Sequence, residues 1–115
     1  MTVKRTGLNQ QDERTATRLA SHVRSRFGER LVQVVLYGSK ARGDSTVESD
    51  TDLLLLFKDR PAHDELREVT SFRTELDIEH GTVTTLLVES VDEWRSPVNK
   101  ATQFYRNVSE QGIEL

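Results

Sequence analysis

The chain has 115 residues, of which 16 are Lys or Arg, 19 are Asp or Glu, and none is Cys. That length predicts one domain with a modest core and leaves little room for a deep cleft around two substrates. The lack of cysteine excludes disulfide scaffolds, thiol catalysis and cysteine zinc sites. The start of the chain has no apolar run and the longest such run, 53–57, is far too short for a membrane span, so we expect a soluble cytoplasmic protein.

Charge is distributed unevenly along the chain. Residues 1–43 carry nine basic and three acidic side chains, a net charge of +6, whereas residues 44–115 carry a net charge of −9. A basic front half suits contact with phosphates or an acidic partner, although solvated helix faces would give the same asymmetry. Because the whole chain has a net charge of −3 and is only 6% aromatic, direct nucleic-acid binding is not expected.

The first part of the chain predicts a loose end and then a helix. Residues 1–8 show no pattern and predict a flexible N-terminus, followed by a single domain over 9–115. Asn9 is a favourable helix cap, apolar residues then recur at helical spacing, and Gly28 suits the helix end.

Strands and a second helix follow. Three short runs rich in β-branched or apolar residues, 31–37, 51–58 and 82–88, predict strands, and the second is apolar enough to be buried on both faces. The second helix is expected to start at Pro61 and to end at Gly81.

Two helices are expected at the end of the chain. Ser90 and Glu93 match a capping box, which predicts a short helix, and a last helix is expected to end at Gly112. The resulting order α-β-β-α-β-α predicts an α+β fold, a small mixed sheet with helices packed mainly on one face. The apolar stripe of the last helix consists of Val98, Ala101, Phe104, Tyr105 and Val108.

The segment that carries chemistry is residues 37–57, YGSKARGDSTVESDTDLLLLF. Gly38 and Ser39 directly follow a predicted strand, where glycine lets the backbone approach a ligand and serine offers N–H and hydroxyl donors to phosphate oxygens. Lys40 and Arg42 add positive charge. An ordinary turn with surface charges would also explain these residues.

Asp50 and Asp52 open the next predicted strand. Residues two apart in a strand face the same side, about 7 Å apart, so their carboxylates repel and lose hydration beside the apolar run. A divalent cation such as Mg²⁺ relieves both costs and leaves positions open for substrate phosphates. A solvated pair that caps a strand is the alternative.

Two other motifs do not fit. The spacing of Gly38 and Gly43 resembles a P-loop, but an acidic residue stands where the P-loop requires Lys. The acidic residues that alternate from Glu48 to Asp52 resemble a calcium loop, but leucine stands where an EF-hand requires glycine.

The whole pattern is more specific than its parts. Gly38-Ser39, ten intervening residues and Asp50-x-Asp52, between two buried-type strands, resemble the signature of the DNA polymerase β-like nucleotidyltransferase superfamily. The local form GSKARGD…SDTDLLLLF resembles its smallest branch, the minimal nucleotidyltransferase (MNT) domains. The chain length, the element order and the tail 104–115 agree with that branch.

The resemblance implies roles for the motif residues. Asp50 and Asp52 would be the catalytic carboxylates and would hold Mg²⁺, as two ions. The turn before them would hold the phosphates of a nucleoside triphosphate, most simply ATP. The nucleotide-binding residues implied in this way are Gly38, Ser39, Lys40 and Arg42.

The family usually adds a third carboxylate on a neighbouring strand. In this chain the matching strand carries Thr84 and Thr85 instead, and neither is a base or a strong Mg²⁺ ligand. Asp77, Glu79 and Glu89 lie nearby in sequence, but the pattern selects none of them. Catalytic competence is therefore left open.

MNT domains as a class work with HEPN-domain proteins in toxin–antitoxin modules. The resemblance therefore implies an antitoxin that transfers AMP from ATP to a hydroxyl of a HEPN toxin, within a hetero-oligomer. A catalytically weak or inactive nucleotide-binding module that neutralises its partner by complex formation is the alternative. A nucleotidyltransferase that acts on a small-molecule hydroxyl is a third, which the small size of the chain disfavours.

Overall fold

The computed structural model describes residues 7–43 and 50–115 of the chain. Within them, the elements include the predicted α-β-β-α-β-α succession together with short additional pieces. The predicted flexible segment 1–8 lies mostly outside the described residues, and a single domain over 9–115 stays a prediction. The helices are α1 (Gln10–Phe27), α2 (Ser39–Arg42), α3 (His63–His80), α4 (Val91–Trp94), α5 (Pro97–Lys100) and α6 (Gln103–Gln111), and the strands are β1 (Leu31–Tyr37), β2 (Thr51–Phe57), β3 (Thr84–Ser90) and β4 (Ile113–Glu114).

The described strands form one mixed sheet in the order β3-β2-β1-β4. Strand β1 pairs antiparallel with β2 and with β4, whereas β2 pairs parallel with β3. Strand β2 therefore lies inside the sheet, and its leucines at 53–56 are at most 1% exposed, as predicted for a strand covered on both faces. The sequence pattern did not predict β4, because this strand of two residues is defined by its pairing with distant Val35 and Leu36.

The two faces of the sheet are covered by different helices. The long helices α1 and α3 pack on one face, where Leu19 lies in the same core as Leu53. The short helices α4 and α6 cover the other face through Trp94 and Val108, which pack with Leu54. The predicted α+β fold with a small mixed sheet is confirmed. The helices were predicted to pack mainly on one face, which holds for the long helices α1 and α3, whereas the short helices α4 and α6 cover the other face. In the part of the chain that the structure describes, no helix is both long and apolar enough to cross a membrane.

Helix α1 begins and ends where its sequence predicts. The Asn9 side chain accepts a hydrogen bond from the Asp12 N–H at 2.8 Å, and the Asp12 carboxylate accepts one from the Asn9 N–H at 3.3 Å. The helix ends at Gly28, whose φ of 56° lies in the region that favours glycine. The reciprocal cap also holds the Asp12 carboxylate at the start of the helix.

Two boundaries differ from the prediction. Helix α3 begins at His63, two residues after Pro61, because the residue between them is extended and precedes the first helical turn. The third strand runs over 84–90 and not 82–88. Thr82 instead completes the end of α3, where its N–H and its hydroxyl both donate to Asp77.

The predicted last helix is two helices, α5 and α6. Thr102 lies between them in an extended conformation, and its hydroxyl accepts a hydrogen bond from the Tyr105 N–H at 3.0 Å, which caps α6. Because Thr102 interrupts the helix, the prediction that the apolar residues of this segment form one inward-facing stripe is wrong. Val108 is buried, whereas Val98 is 82% exposed and Phe104 is 44% exposed.

Candidate active site

The candidate site forms at one edge of the sheet, where β1 ends and β2 and β3 begin. Antiparallel pairing places Tyr37 opposite Asp52, and parallel pairing places Asp52 opposite Thr85. These three residues form one row across the sheet, on the face that α4 and α6 cover. Gly38, the residue after Tyr37, therefore lies next to the start of β2.

Gly38 forms the contact between the turn after β1 and the carboxylate of Asp52. Its φ of 79° and ψ of −160° lie in a region that essentially only glycine occupies. A Cβ atom on residue 38 would overlap the Oδ2 atom of Asp52, so any side chain there would displace the carboxylate. The turn and the carboxylate can lie this close only because residue 38 has no side chain.

Helix α2 starts at Ser39, directly after this glycine. The N–H groups of Ala41 and Arg42 both donate to the Gly38 carbonyl, at 3.1 and 3.2 Å, which holds the turn in one conformation. The first N–H groups of a helix have no acceptor inside it, so those of Ser39 and Lys40 suit an anion. The turn therefore offers backbone donors next to the carboxylate edge.

Asp52 is the second residue of β2 and is half-buried, whereas Asp50 directly precedes the strand and is exposed. The Oδ1 atom of Asp52 accepts a hydrogen bond from the Thr85 hydroxyl. Burial raises the pKa of the Tyr37 phenol, and the nearby Asp52 charge raises it further. Tyr37 is therefore a neutral neighbour of the carboxylate at physiological pH.

The side chain of Lys40 pairs with α1 and does not present its charge at the turn, contrary to its interpretation as a phosphate contact. Its side chain is 2% exposed, and its Nζ atom donates to the Oδ2 atom of Asp12 at 2.7 Å. The Lys40 carbonyl also accepts a hydrogen bond from the Gly7 N–H at 2.6 Å. The buried ammonium group is paired with the Asp12 carboxylate, and this ion pair joins α2 to the start of α1. We therefore assign Lys40 a positioning role.

Arg42, by contrast, is exposed at the end of α2. It lines a cavity of about 140 Å³ that also borders Gly38. Its role as a phosphate contact stays a prediction.

A third carboxylate does not join the aspartates within the described residues. In 7–43 and 50–115 no group of three or more His, Cys, Asp or Glu side chains could hold a metal ion. Thr85 occupies the neighbouring position and contacts Asp52 through its hydroxyl. Glu48, part of the rejected calcium-loop pattern, lies outside the described residues.

The acids that lie near β3 in sequence have other partners. Asp77 accepts hydrogen bonds from the Thr84 N–H at 3.0 Å and from the Thr82 hydroxyl at 2.6 Å, so it connects the end of α3 to the start of β3. Glu79 and Glu89 form ion pairs with arginine side chains at 3.5 and 3.9 Å.

The Asp52 carboxylate is chemically suited to a divalent cation that is bound together with a phosphate-bearing substrate, and the roles of Asp52 and of exposed Asp50 as metal ligands stay predictions. Mg²⁺ takes hard oxygen ligands, keeps several waters and is usually held by one or two carboxylates plus substrate phosphates. One oxygen of Asp52 is held by Thr85, and the other lies against Gly38, where no side chain blocks a ligand. The donor set suits a metal–phosphate substrate better than a cage made only of protein ligands.

One contributor to the site is not visible in the sequence pattern. Asp12 lies in the first turn of α1, and its pairing with Lys40, 28 residues away, has no local signal in the sequence. The partner of Asp52 is similar, since the hydroxyl of Thr85 comes from a strand 33 residues further along the chain.

Known proteins share the sequence pattern of this chain. The model of the family described as "Polymerase beta, Nucleotidyltransferase" matches residues 23–115, which contain the aspartates and the turn. A Methanocaldococcus jannaschii protein named "Putative protein adenylyltransferase" is 31% identical over 104 residues, 90% of this chain and 97% of that protein. A second protein of that name from the same organism is 26% identical over 87 residues, 76% of this chain and 81% of that protein.

Solved structures share the fold. A toxin–antitoxin crystal structure with AMP-PNP has a TM-score of 0.55 at 19% identity, over 84% of this chain and 69% of that chain. A complex of the tri-AMPylated Shewanella oneidensis HEPN toxin with an MNT antitoxin has a TM-score of 0.54 at 18% identity, over 91% of this chain and 71% of that chain. At such identities the likeness concerns the fold alone. The family match and the 31% identical relative establish the predicted membership: this chain belongs to the polymerase β-type nucleotidyltransferase family.

Proposed function

We propose that this protein is an Mg²⁺-dependent nucleotidyltransferase that transfers AMP from ATP to a hydroxyl of a HEPN-type toxin and acts as its antitoxin in the cytoplasm. The observation that carries the proposal is the close approach of Gly38 to Asp52, which joins the turn that carries the Ser39 and Lys40 N–H groups to a carboxylate suited to a metal. The names of the relatives and of the toxin–antitoxin complex supply the acceptor class.

The proposal assigns the chemistry to few residues. Asp50 and Asp52 would hold Mg²⁺, as two ions, which when bound would neutralise phosphate charge. Gly38 and Ser39 would hold the triphosphate oxygens, and Arg42 would add positive charge at the end of the same turn.

Group transfer at this site demands little covalent chemistry from the protein. The acceptor hydroxyl oxygen forms a bond to the α-phosphorus of ATP, the bond from that phosphorus to the bridging oxygen breaks, and pyrophosphate leaves. The hydroxyl proton passes to solvent. The protein contributes orientation and charge neutralisation, which account for most of the catalysis of phosphoryl transfer.

One observation favours a second candidate function, a module that neutralises its partner by binding alone. Thr85, which cannot act as a base at neutral pH, lies beside Asp52 on the strand where the family usually carries a third acid. Such a module could still bind nucleotide through the same turn.

Mass spectrometry of the partner separates the two functions. The protein is mixed with ATP, Mg²⁺ and the HEPN protein encoded beside it, and the mass of the HEPN protein is measured. An increment of one or more AMP groups that disappears in Asp52→Asn supports the transferase. Asp59→Asn is the matched control, because Asp59 is an exposed aspartate in the loop after β2 and is expected to leave transfer unchanged.

Size-exclusion chromatography of the same mixture completes the test. A stable complex whose HEPN subunit gains no mass would contradict the transferase and support the binding module. The absence of both a complex and an increment would contradict the choice of a HEPN protein as the partner.

A further inference from the structure

A small cavity adjoins the carboxylate edge. It has a volume of about 140 Å³ and lies between the turn after β1 and one face of α6. Pockets that enclose drug-sized ligands are larger, about 300–1,000 Å³, so this cavity is suited to one ring system and not to a whole nucleotide. The lining residues that matter here are Tyr37, Gly38, Arg42, Phe104, Asn107 and Gln111.

Helix α6 presents an aromatic ring and two amides to this cavity. Phe104, Asn107 and Gln111 are spaced by three and four residues, which places them on one face of the helix. The Phe104 ring packs edge to face on Tyr37, with centroids 5.5 Å apart and an interplanar angle of 86°. Phe104 is nevertheless 44% exposed, so part of its ring is accessible to a ligand.

The amides give the cavity a polar side. Asn107 and Gln111 are both exposed on α6. The Asn107 side-chain oxygen accepts a hydrogen bond from the Gln103 side chain at 2.9 Å, which leaves the Asn107 NH₂ group to donate elsewhere. A carboxamide oxygen has two lone pairs, so each of the two amides still offers a donor and an acceptor side by side, and this pair matches the acceptor N7 and donor N6 of adenine. Guanine presents two acceptors on that edge, so a carboxamide pairs with only one of them. Arg42, the cation that lines the cavity, is assigned to the phosphates by the proposed function.

We infer that this cavity binds the nucleobase of the nucleoside triphosphate, with adenine preferred, while the phosphates lie at the Gly38–Asp52 contact. The base stacks on the aromatic side formed by Phe104 and Tyr37, and the amides of α6 pair with its edge. This inference rests on the proposed function, because it is the triphosphate at the carboxylate edge that brings the base to the cavity.

Isothermal titration calorimetry with two ligands separates base binding from phosphate binding. The ligands are ATP and inorganic tripolyphosphate, each with excess Mg²⁺ and without an acceptor protein. Wild-type protein is expected to bind ATP about tenfold more tightly than tripolyphosphate, and ATP about fivefold more tightly than GTP. Asp52→Asn is expected to weaken both ATP and tripolyphosphate.

The double variant Asn107→Ala/Gln111→Ala tests the amides directly. Both residues are exposed on a helix, where alanine is well tolerated. The variant is expected to lose about tenfold in ATP affinity and all preference over GTP, with unchanged affinity for tripolyphosphate. Glu110→Ala, an exposed change on the same helix outside the cavity, is the matched control and is expected to change neither affinity.

The outcomes distinguish the two proposals. If wild-type protein binds ATP and tripolyphosphate equally, or if the double variant keeps its ATP affinity, the base subsite is refuted while the proposed function stands. If wild-type protein binds neither ligand, the proposed function and the base subsite are both refuted.

Discussion

Replacing Lys40 by Met removes one partner of the buried ion pair that joins α2 to α1. Methionine has nearly the length of lysine but no charge, so the variant leaves the Asp12 carboxylate without its ammonium. Asp12 is 6% exposed and Lys40 is 2% exposed, so water cannot take the place of the lost partner. Asp12→Asn leaves the ammonium of Lys40 uncompensated in the same way.

The expected cost follows from this burial. Removing one partner of a buried ion pair costs about 3–5 kcal/mol, because an uncompensated charge stays in the interior. Domains of this kind unfold with a free energy of only about 5–15 kcal/mol, so either single variant loses a large part of its stability. The double variant buries no net charge, and we expect a coupling free energy of about 2–3 kcal/mol between the two changes.

Urea unfolding of the wild type, both single variants and the double variant provides the four free energies of the cycle. Arg18→Met is the control, because it breaks an ion pair with Glu79 whose side chains are 55% and 60% exposed. Such a pair contributes about 0–1 kcal/mol. If the losses of Lys40→Met and Asp12→Asn simply add in the double variant, the two residues do not stabilise each other and the assigned positioning role of Lys40 is refuted.

Three other changes test the site and its surroundings. Gly38→Ala is expected to lower the unfolding free energy by about 1–3 kcal/mol, and to abolish ATP binding because the new side chain displaces Asp52. An unchanged ATP affinity in calorimetry would contradict the close contact between residue 38 and Asp52. The hydrogen bond from Arg30 holds the pKa of the Glu65 carboxyl at about 2, below its ordinary 4.5. The stability that this ion pair contributes is therefore complete above pH 4.5 and is lost as the pH falls toward 2. The difference in unfolding free energy between wild type and Glu65→Gln is expected to shrink over that window, and a difference independent of pH would exclude the linkage. Burial raises the pKa of Tyr37 most, and the Asp52 charge raises it further. Asp52→Asn removes only the second contribution, so tyrosinate absorbance is expected to show a small decrease in this pKa. An unchanged pKa would mean that the Asp52 charge does not reach the phenol.

Local sequence was sufficient wherever the determining contacts are short in range. Asn9 marks the start of α1 and Gly28 marks its end, because a helix cap needs only neighbours three or four residues away. The apolar run 53–57 predicts a strand covered on both faces, since no polar residue in it requires water. The Gly38–Ser39 turn and the two aspartates were predicted as a unit because their spacing is that of a known family.

Tertiary packing alone determined how individual side chains in that unit are used. Lys40 and Arg42 have the same charge and lie two residues apart, yet one is buried against Asp12 and the other is exposed beside the cavity. Helix α2 is too short for periodicity to assign its faces, so the position of α1 determines which cation is covered. The face of α6 that lines the cavity likewise depends on the break at Thr102 and on the pairing of β4 with β1, a contact between segments far apart in the chain that no local pattern encodes.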